Sequence, residues 1–390
     1  MLLPFLAAVL IIILGTLSRR LDVSVSLAVG SLVFGLSALG PQRLLQATAS
    51  AFNETMLYVV ASLYFAMALG YLLKEDKERI ASGLLSLGPR PAAFSIPAVI
   101  GLLPMPGGAY ISAVVADPLY EKMGLKNHEK TFINYYLRHI WIPTWPLFQG
   151  VLITSAILSV SVWQVVEWSW PASVFAVVSG LAVGLPLVRR VESPGRFRDL
   201  AALWPLAAVA VLSFVAPLPL AVAAVYLAYL AVRRPAVDLV VGSLRYAATP
   251  RILAILVFSL IFAQYIKESS LSAEMAAALG GYSAAAVFAI PFAIGLATGV
   301  EFAFAGLAFP PIAPLIHGPM LALAFAGGFL GVMLSPAHSC LVLTREYYNA
   351  DIALVYRLLA RAAVVFIALS VVYYLFLIYR GGCVYQCLSS

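Results

Sequence analysis

The chain has 390 residues, 63% of them hydrophobic and 11% charged, with a mean hydropathy of +0.99. A soluble domain carries about 25% charged residues, so this composition excludes a water-covered surface and, with it, soluble enzymes, nucleic-acid binders and disordered scaffolds. The formal charge of +7 falls in short loops on one side, where it reports topology and not a polyanionic partner. The composition predicts an all-α, multi-pass protein of the cell membrane with the lipid bilayer as its solvent.

The first apolar run, 2–14, is followed by Arg19 and Arg20. A cleavable signal peptide has its charges before the run, so this reads as a retained span with the N-terminus outside. Further runs predict spans at 3–17, 23–40, 54–73, 131–160, 171–188, 201–215, 216–232, 251–267, 319–344 and 361–379. Two more stretches, 91–117 and 283–315, are interrupted by PMPGG at 104–108 and GLATG at 295–299. They read as re-entrant hairpins, because broken backbone at membrane depth survives only where protein covers it or it lines a cavity. The arrangement puts the C-terminus outside and every Lys and Arg inside, save Arg43, Lys267, Arg380 and the intramembrane Arg138. Full pairs of spans would keep the same parity; the broken tips favour re-entrance.

An internal repeat is visible. Residues 96–102 read IPAVIGL and 290–296 read IPFAIGL, five identities in seven at an offset of 194. At that offset Tyr71 meets Tyr265 and Leu72 meets Ile266, and at 193 Pro143 meets Pro336. The order of the matches predicts two units, 1–190 and 191–390, each with five spans and one hairpin. An odd number of spans makes such units inverted in the membrane, the plan of secondary transporters with broken helices around a central site.

Function is sought at the breaks. In the first tip, Pro104 and Pro106 remove backbone donors and Gly107 and Gly108 permit unusual backbone angles. The helix restarting near Ala109 aims its N-terminal amides at the tip, an end that favours anions. Thr298 and Gly299 form the second tip, with the carboxylate of Glu301 just beyond. Glu301 either binds a coupling cation, titrates, or faces the outer solvent. Arg138, in NYYLRHIW, either snorkels to the inner surface or meets substrate. His338, in LSPAHSC beside Ser335 and Ser339, is either a hydrogen-bonded packing residue or a ligand for proton or substrate. Asp117 reads as a structural ion pair with Lys122 or Arg138. Tyr71, Tyr135, Tyr136, Tyr347 and Tyr348 read as interfacial anchors or packing, and His128 and His317 fall in loops. Cys340 reads as a small buried residue. Cys383 and Cys387 have no metal-site partners, but on the outer side they can form a disulfide. No zinc-protease, nucleophile-elbow or phosphate-loop motif is present, so no catalytic residue, cofactor or metal is predicted.

The runs GLLPMPGGAYISAVVADPLY (101–120), INYYLRHIW (133–141) and LSPAHSCLVLTREYYN (334–349) resemble the DUF401 family of integral membrane proteins, itself similar to gluconate permeases within the ion-transporter superfamily. The resemblance implies a homodimer of elevator type, with scaffold and transport domains in each protomer. The tips PMPGG and ATGVE depart from the Ser-Asn-Thr hairpins of the sodium-dicarboxylate branch, so neither sodium nor a dicarboxylate is implied. The expected function is ion-coupled transport of a small anionic organic solute, with a proton or sodium as coupling ion through Glu301 and His338. Alternatives are a sodium/proton exchanger or ion-conducting protein on the same scaffold, and a membrane-embedded enzyme or lipid-handling protein.

Overall fold

Caps, prolines and glycines cut the apolar chain into helices. The computed structural model describes residues 1–17, 22–103 and 107–388, with side chains left aside for Leu17 and 380–388; among the described residues every regular element is helical. Arg19, Arg20, Pro104 and Pro106 lie outside the described residues, and Cys383 and Cys387 outside the described side chains.

Helix α1 (Leu2–Leu17) leads to α2 (Val23–Ala51), which starts on Asp22 and bends at Gly40 ahead of Pro41. The Asp22 carboxylate accepts from the Ser24 N–H, and Asn53 caps α3 (Glu54–Leu73) by accepting from the Met56 N–H. Next come α4 (Lys77–Leu85) and the first hairpin, α5 (Pro89–Gly101) and α6 (Gly108–Lys122). Helix α7 (Asn127–Arg138) stops at His139, and a stretch holding Pro143 and Pro146 separates it from α8 (Gln149–Leu158). Ser161 and Gln164 form a capping box that opens α9 (Val162–Gly184). Then follow α10 (Trp204–Leu212), α11 (Leu218–Arg233), α12 (Val237–Ala247), α13 (Pro250–Glu268) and α14 (Leu271–Leu279). The second hairpin is α15 (Ser283–Thr298), a turn at Gly299, and α16 (Glu301–Ala303), which runs through a π-helical stretch into α17 (Phe309–Ile312). Helix α18 (Leu321–Leu334) stops before Pro336, α19 (Ser339–Tyr348) ends at Asn349, and α20 (Ile352–Leu388) closes the chain.

Among the described residues, seven segments are long and apolar enough to cross a bilayer: Val23–Ala51, Glu54–Leu85, Val162–Gly184, Val237–Glu268, Leu271–Thr298, Gly318–Tyr348 and Ile352–Tyr379. Shorter apolar helices, Leu2–Thr16, Gln149–Leu158, Leu218–Arg233 and Glu301–Leu315, supply other predicted spans and the second hairpin's return arm. The chain is thus a multi-pass membrane protein. Span 131–160, predicted as continuous, comes apart into α7 and α8, because Pro143 and Pro146 cannot carry a helix across the stretch. Span 171–188 begins at Val162, where the capping box sets its start. Helices α4, α12 and α14 are additions; they are short and carry charges, so no apolar run announces them.

Two bodies emerge from the packing. In one, α3 lies on α11 and α12, while α13 lies on α2, so each half of the chain supplies a helix to the other. In the other, α5 and α6 pack on α7, α19 packs on α6 and α7, α15 runs along α18, and α9 and α20 brace α7 and α18. The α15–α18 contact depends on glycine: a β-carbon at Gly327 or Gly331 would strike the carbonyl oxygen of Phe288 or Phe292.

Charges collect at the two ends. At one end Asp76 bonds Arg79, Arg233 and Tyr229, Ser82 donates to Asp199 at 2.6 Å, and Asp22 pairs with Arg251 at 3.0 Å. At the other end Arg43 donates to the Glu268 carbonyl and the N-terminal ammonium pairs with Glu274. Asp117 pairs with Lys130 at 2.9 Å, and not with Lys122 or Arg138 as the sequence predicts. Lys130 lies at the start of α7 beside Asp117, while Arg138 is about two helical turns further on.

Candidate functional site

Both helix breaks and both hairpins converge on one cavity of about 420 Å³. The first break contributes Arg138 and His139, the second His338, Ser339 and Cys340. The first hairpin brings Gly101 to Leu103, and the second brings Gly299 to Phe302. The facing wall comes from the other body: Leu63 and Met67 on α3, Tyr246 on α12, Ile252 and Ile255 on α13. One wall is polar and built of interrupted helices; the other is almost wholly apolar.

Arg138 is 9% exposed. Two glycines make room for it: a β-carbon at Gly101 would hit its carbonyl oxygen, and one at Gly108 would hit its guanidinium. Its Nη1 finds no acceptor among the described residues. An isolated guanidinium is costly in a bilayer, and a carboxylate or phosphate would supply the acceptors it lacks through charge-assisted bonds. This position is inconsistent with snorkelling, which carries the head group to water.

His139 and His338 face each other, with their Nε2 atoms 3.2 Å apart and their rings near perpendicular. Nδ1 of His139 lies 2.6 Å from the Tyr135 carbonyl oxygen. An oxygen at that distance requires the proton on Nδ1, so Nε2 presents a lone pair to the cavity. Cys340, in the first turn of α19, completes a group whose ligand atoms all lie within 4.8 Å of one another. Tyr135 wedges beside both imidazoles and donates to the Met333 carbonyl at 3.2 Å, tying α7 to the end of α18.

The residues predicted from sequence fall into four groups. Arg138, Gly299, Glu301 and His338 border the cavity, and Glu301 does so inside the protein, not on an outer surface. Gly108 stands behind Arg138. Thr298, Ser335 and Ala109 are buried and engaged locally: the Thr298 hydroxyl donates to Ile294, the Ser335 hydroxyl accepts from the Ala337 N–H, and the Ala109 carbonyl accepts from Asn134. Gly107 is an exposed left-handed turn residue with φ 63°, and Gly299 repeats that conformation at φ 64°. Of the tyrosines, Tyr135 and Tyr136 are fully buried and hydrogen-bonded, so they pack and do not anchor at an interface. Cys340 belongs to the site and is no mere filler. His139, Trp145 and Gln149 also line the cavity and carried no predicted role.

Residues 2–377 match the family described as protein of unknown function DUF401. The chain belongs to the DUF401 family. The three motifs that frame the cavity, from the first hairpin, the first break and the second break, all lie within the matched residues. Among solved structures this DUF401 chain is similar to the YdaH transporter of Alcanivorax borkumensis, whose crystal structure is described as revealing an unusual topology. The TM-score is 0.58 at 14% identity, over 87% of this chain and 89% of that one. At that identity the likeness is one of fold. No curated protein matches the chain in sequence.

Proposed function

We propose that this DUF401 chain is an ion-coupled secondary transporter of a small anionic organic solute, moved by an elevator-like displacement of the hairpin-bearing body. The observation that carries the reading is the division of the cavity: Arg138, Glu301, the histidines and the glycine turns on one body, apolar side chains of α3, α12 and α13 on the other. A solute held by the first body can slide past the second only if that wall offers no competing hydrogen bonds. Arg138 supports an anion, and Glu301 supports a proton or sodium as coupling ion. The transporter fold of the similar structure supports the same class.

The proposal includes two inverted repeats, 1–190 and 191–390. Matching details support them: left-handed glycines end the turns at Gly107 and Gly299, and left-handed Ser159 and Asn349 precede α9 and α20. Re-entrant hairpins are supported by arm length, since the 13 residues of α5 and 15 of α6 fall short of a full crossing. A homodimer in the cell membrane with both termini outside completes the reading.

The test is uptake into proteoliposomes under imposed proton or sodium gradients. Carboxylates, sugar acids and phosphates would first be chosen by their ability to raise the melting temperature. Gradient-driven accumulation of an anion is expected. Glu301 and two histidines lining one cavity also suit a sodium/proton exchanger, and cation exchange without any organic solute would replace the first reading by that one.

A further inference from the structure

We propose that His139, His338 and Cys340 form a binding site for a zinc-class divalent ion, held between the two helix breaks with its fourth coordination position open to the cavity. The inference does not rest on the transport reading, since an ion can be bound with no solute moved.

The geometry begins with His139. Its Nδ1 proton is committed to the Tyr135 carbonyl at 2.6 Å, the outer-shell bond that orients imidazole ligands in metal sites. Its bare Nε2 then points at Nε2 of His338, 3.2 Å away. His338 is also buried, and its Nδ1 has no hydrogen-bond partner among the described residues. The contact admits two arrangements: with its proton on Nε2, His338 donates to His139, and with its proton on Nδ1 both Nε2 atoms are bare. In the second arrangement the two lone pairs, 3.2 Å apart, repel unless a cation lies between them. Zinc–nitrogen bonds of about 2.0–2.1 Å at a tetrahedral angle set nitrogen atoms about 3.3 Å apart.

The third ligand is Cys340. Its sulfur lies within 4.8 Å of both nitrogens, and a shift of about 1 Å brings it to the nitrogen–sulfur spacing of a zinc site. It stands in the first turn of α19, an end that favours negative charge. One thiolate and two imidazoles form the donor set of a three-ligand zinc centre with one open position. Each half of the chain contributes, His139 from the first break and His338 and Cys340 from the second, so the ion would tie the halves together.

The full-length chain with Cys383→Ser and Cys387→Ser would be stripped with chelator, reloaded with Zn²⁺ or Co²⁺, and desalted. The expected result is one retained ion per chain and, with Co²⁺, a near-ultraviolet sulfur-to-cobalt charge-transfer band. Cys340→Ser should abolish the band. His139→Gln and His338→Gln should each weaken binding by more than about 100-fold, because loss of an outer-shell partner alone costs about 10–100-fold. Each variant is compared with its parent by gel-filtration profile and melting temperature without metal. Absence of both retained ion and band in the parent protein would overturn the site without reference to any variant. So would binding unaltered by all three substitutions, leaving the histidines as a pair sharing one proton.

Discussion

Arg138 is enclosed by glycines and unpaired at Nη1 among the described residues, so its removal should act on binding more than on stability. Arg138→Ala deletes a buried charge with one unsatisfied donor, together with its contact to the Cys340 sulfur, so the melting temperature of the solute-free protein should change little. Binding should suffer instead. A hydrogen bond to a charged group contributes about 1.5–3 kcal/mol, so affinity for the anion found by thermal shift should fall roughly 10–150-fold. Arg138→Lys should restore little, because an ammonium lacks the planar fork. Unchanged affinity in the alanine variant would return Arg138 to a structural role. Glu301→Gln should keep the fold and solute exchange at equal concentrations, while gradient-driven accumulation and its pH dependence are lost; accumulation at the parent rate would remove Glu301 from coupling. Both residues were legible in the sequence because a charge in an apolar run is conspicuous. His139 and Cys340 were not. His139 lies next to the more conspicuous Arg138, Cys340 resembles any small apolar residue, and the two histidines are 199 residues apart, off the repeat's offset of 194.

Helices α15 and α18 approach each other closely, backbone against backbone, at Gly295, Gly327 and Gly331. A bilayer gives apolar helices no hydrophobic reason to associate, so this approach rests on packing. Gly331→Leu forces a side chain into the Phe292 carbonyl and should separate the helices. Overpacking costs about 1–3 kcal/mol in a core that can adjust, and a backbone obstacle adjusts little. Melting in detergent should drop by several degrees, whereas the same change at the exposed Gly281, where nothing lies within 4 Å, should be near neutral. An acid-side effect belongs to α2. Hydrogen bonds from the Ser24 hydroxyl and N–H, with the Arg251 charge, hold the Asp22 carboxyl below its usual 3.8. A carboxylate lowered on folding stabilises the fold above its usual value, and that contribution disappears as the pH falls through the lowered one. Asp22→Asn should therefore narrow the gap in melting temperature between neutral pH and pH below 3.8; an unchanged gap would show that the cap does not titrate with folding.

At the scale of the molecule, the sequence carried the order of the helices and the positions of the hairpins, because apolar length and Pro/Gly breaks are read in one dimension. It did not carry the exchange of α3 and α13 between the halves, nor the apolar wall they complete, since both are set by three-dimensional packing. Orientation stands between the two. The basic loops around Asp76, Arg233 and Asp199 meet at one end of the molecule, opposite the end where Arg43 reaches Glu268. Short basic loops stay on the cytoplasmic side, so the first end should face inward. Pro194 is exposed in the loop leading to Asp199, and Ser269 follows Glu268 at the other end. In a Cys383→Ser, Cys387→Ser background, Pro194→Cys should resist a membrane-impermeant thiol reagent in intact cells and react once the cells are opened. Ser269→Cys should react in both. Cys340, partly buried within the protein, sets the blank that both variants are read against. Labelling of the first and protection of the second in intact cells would invert the molecule, carrying both termini and the coupling direction of Glu301 to the opposite side.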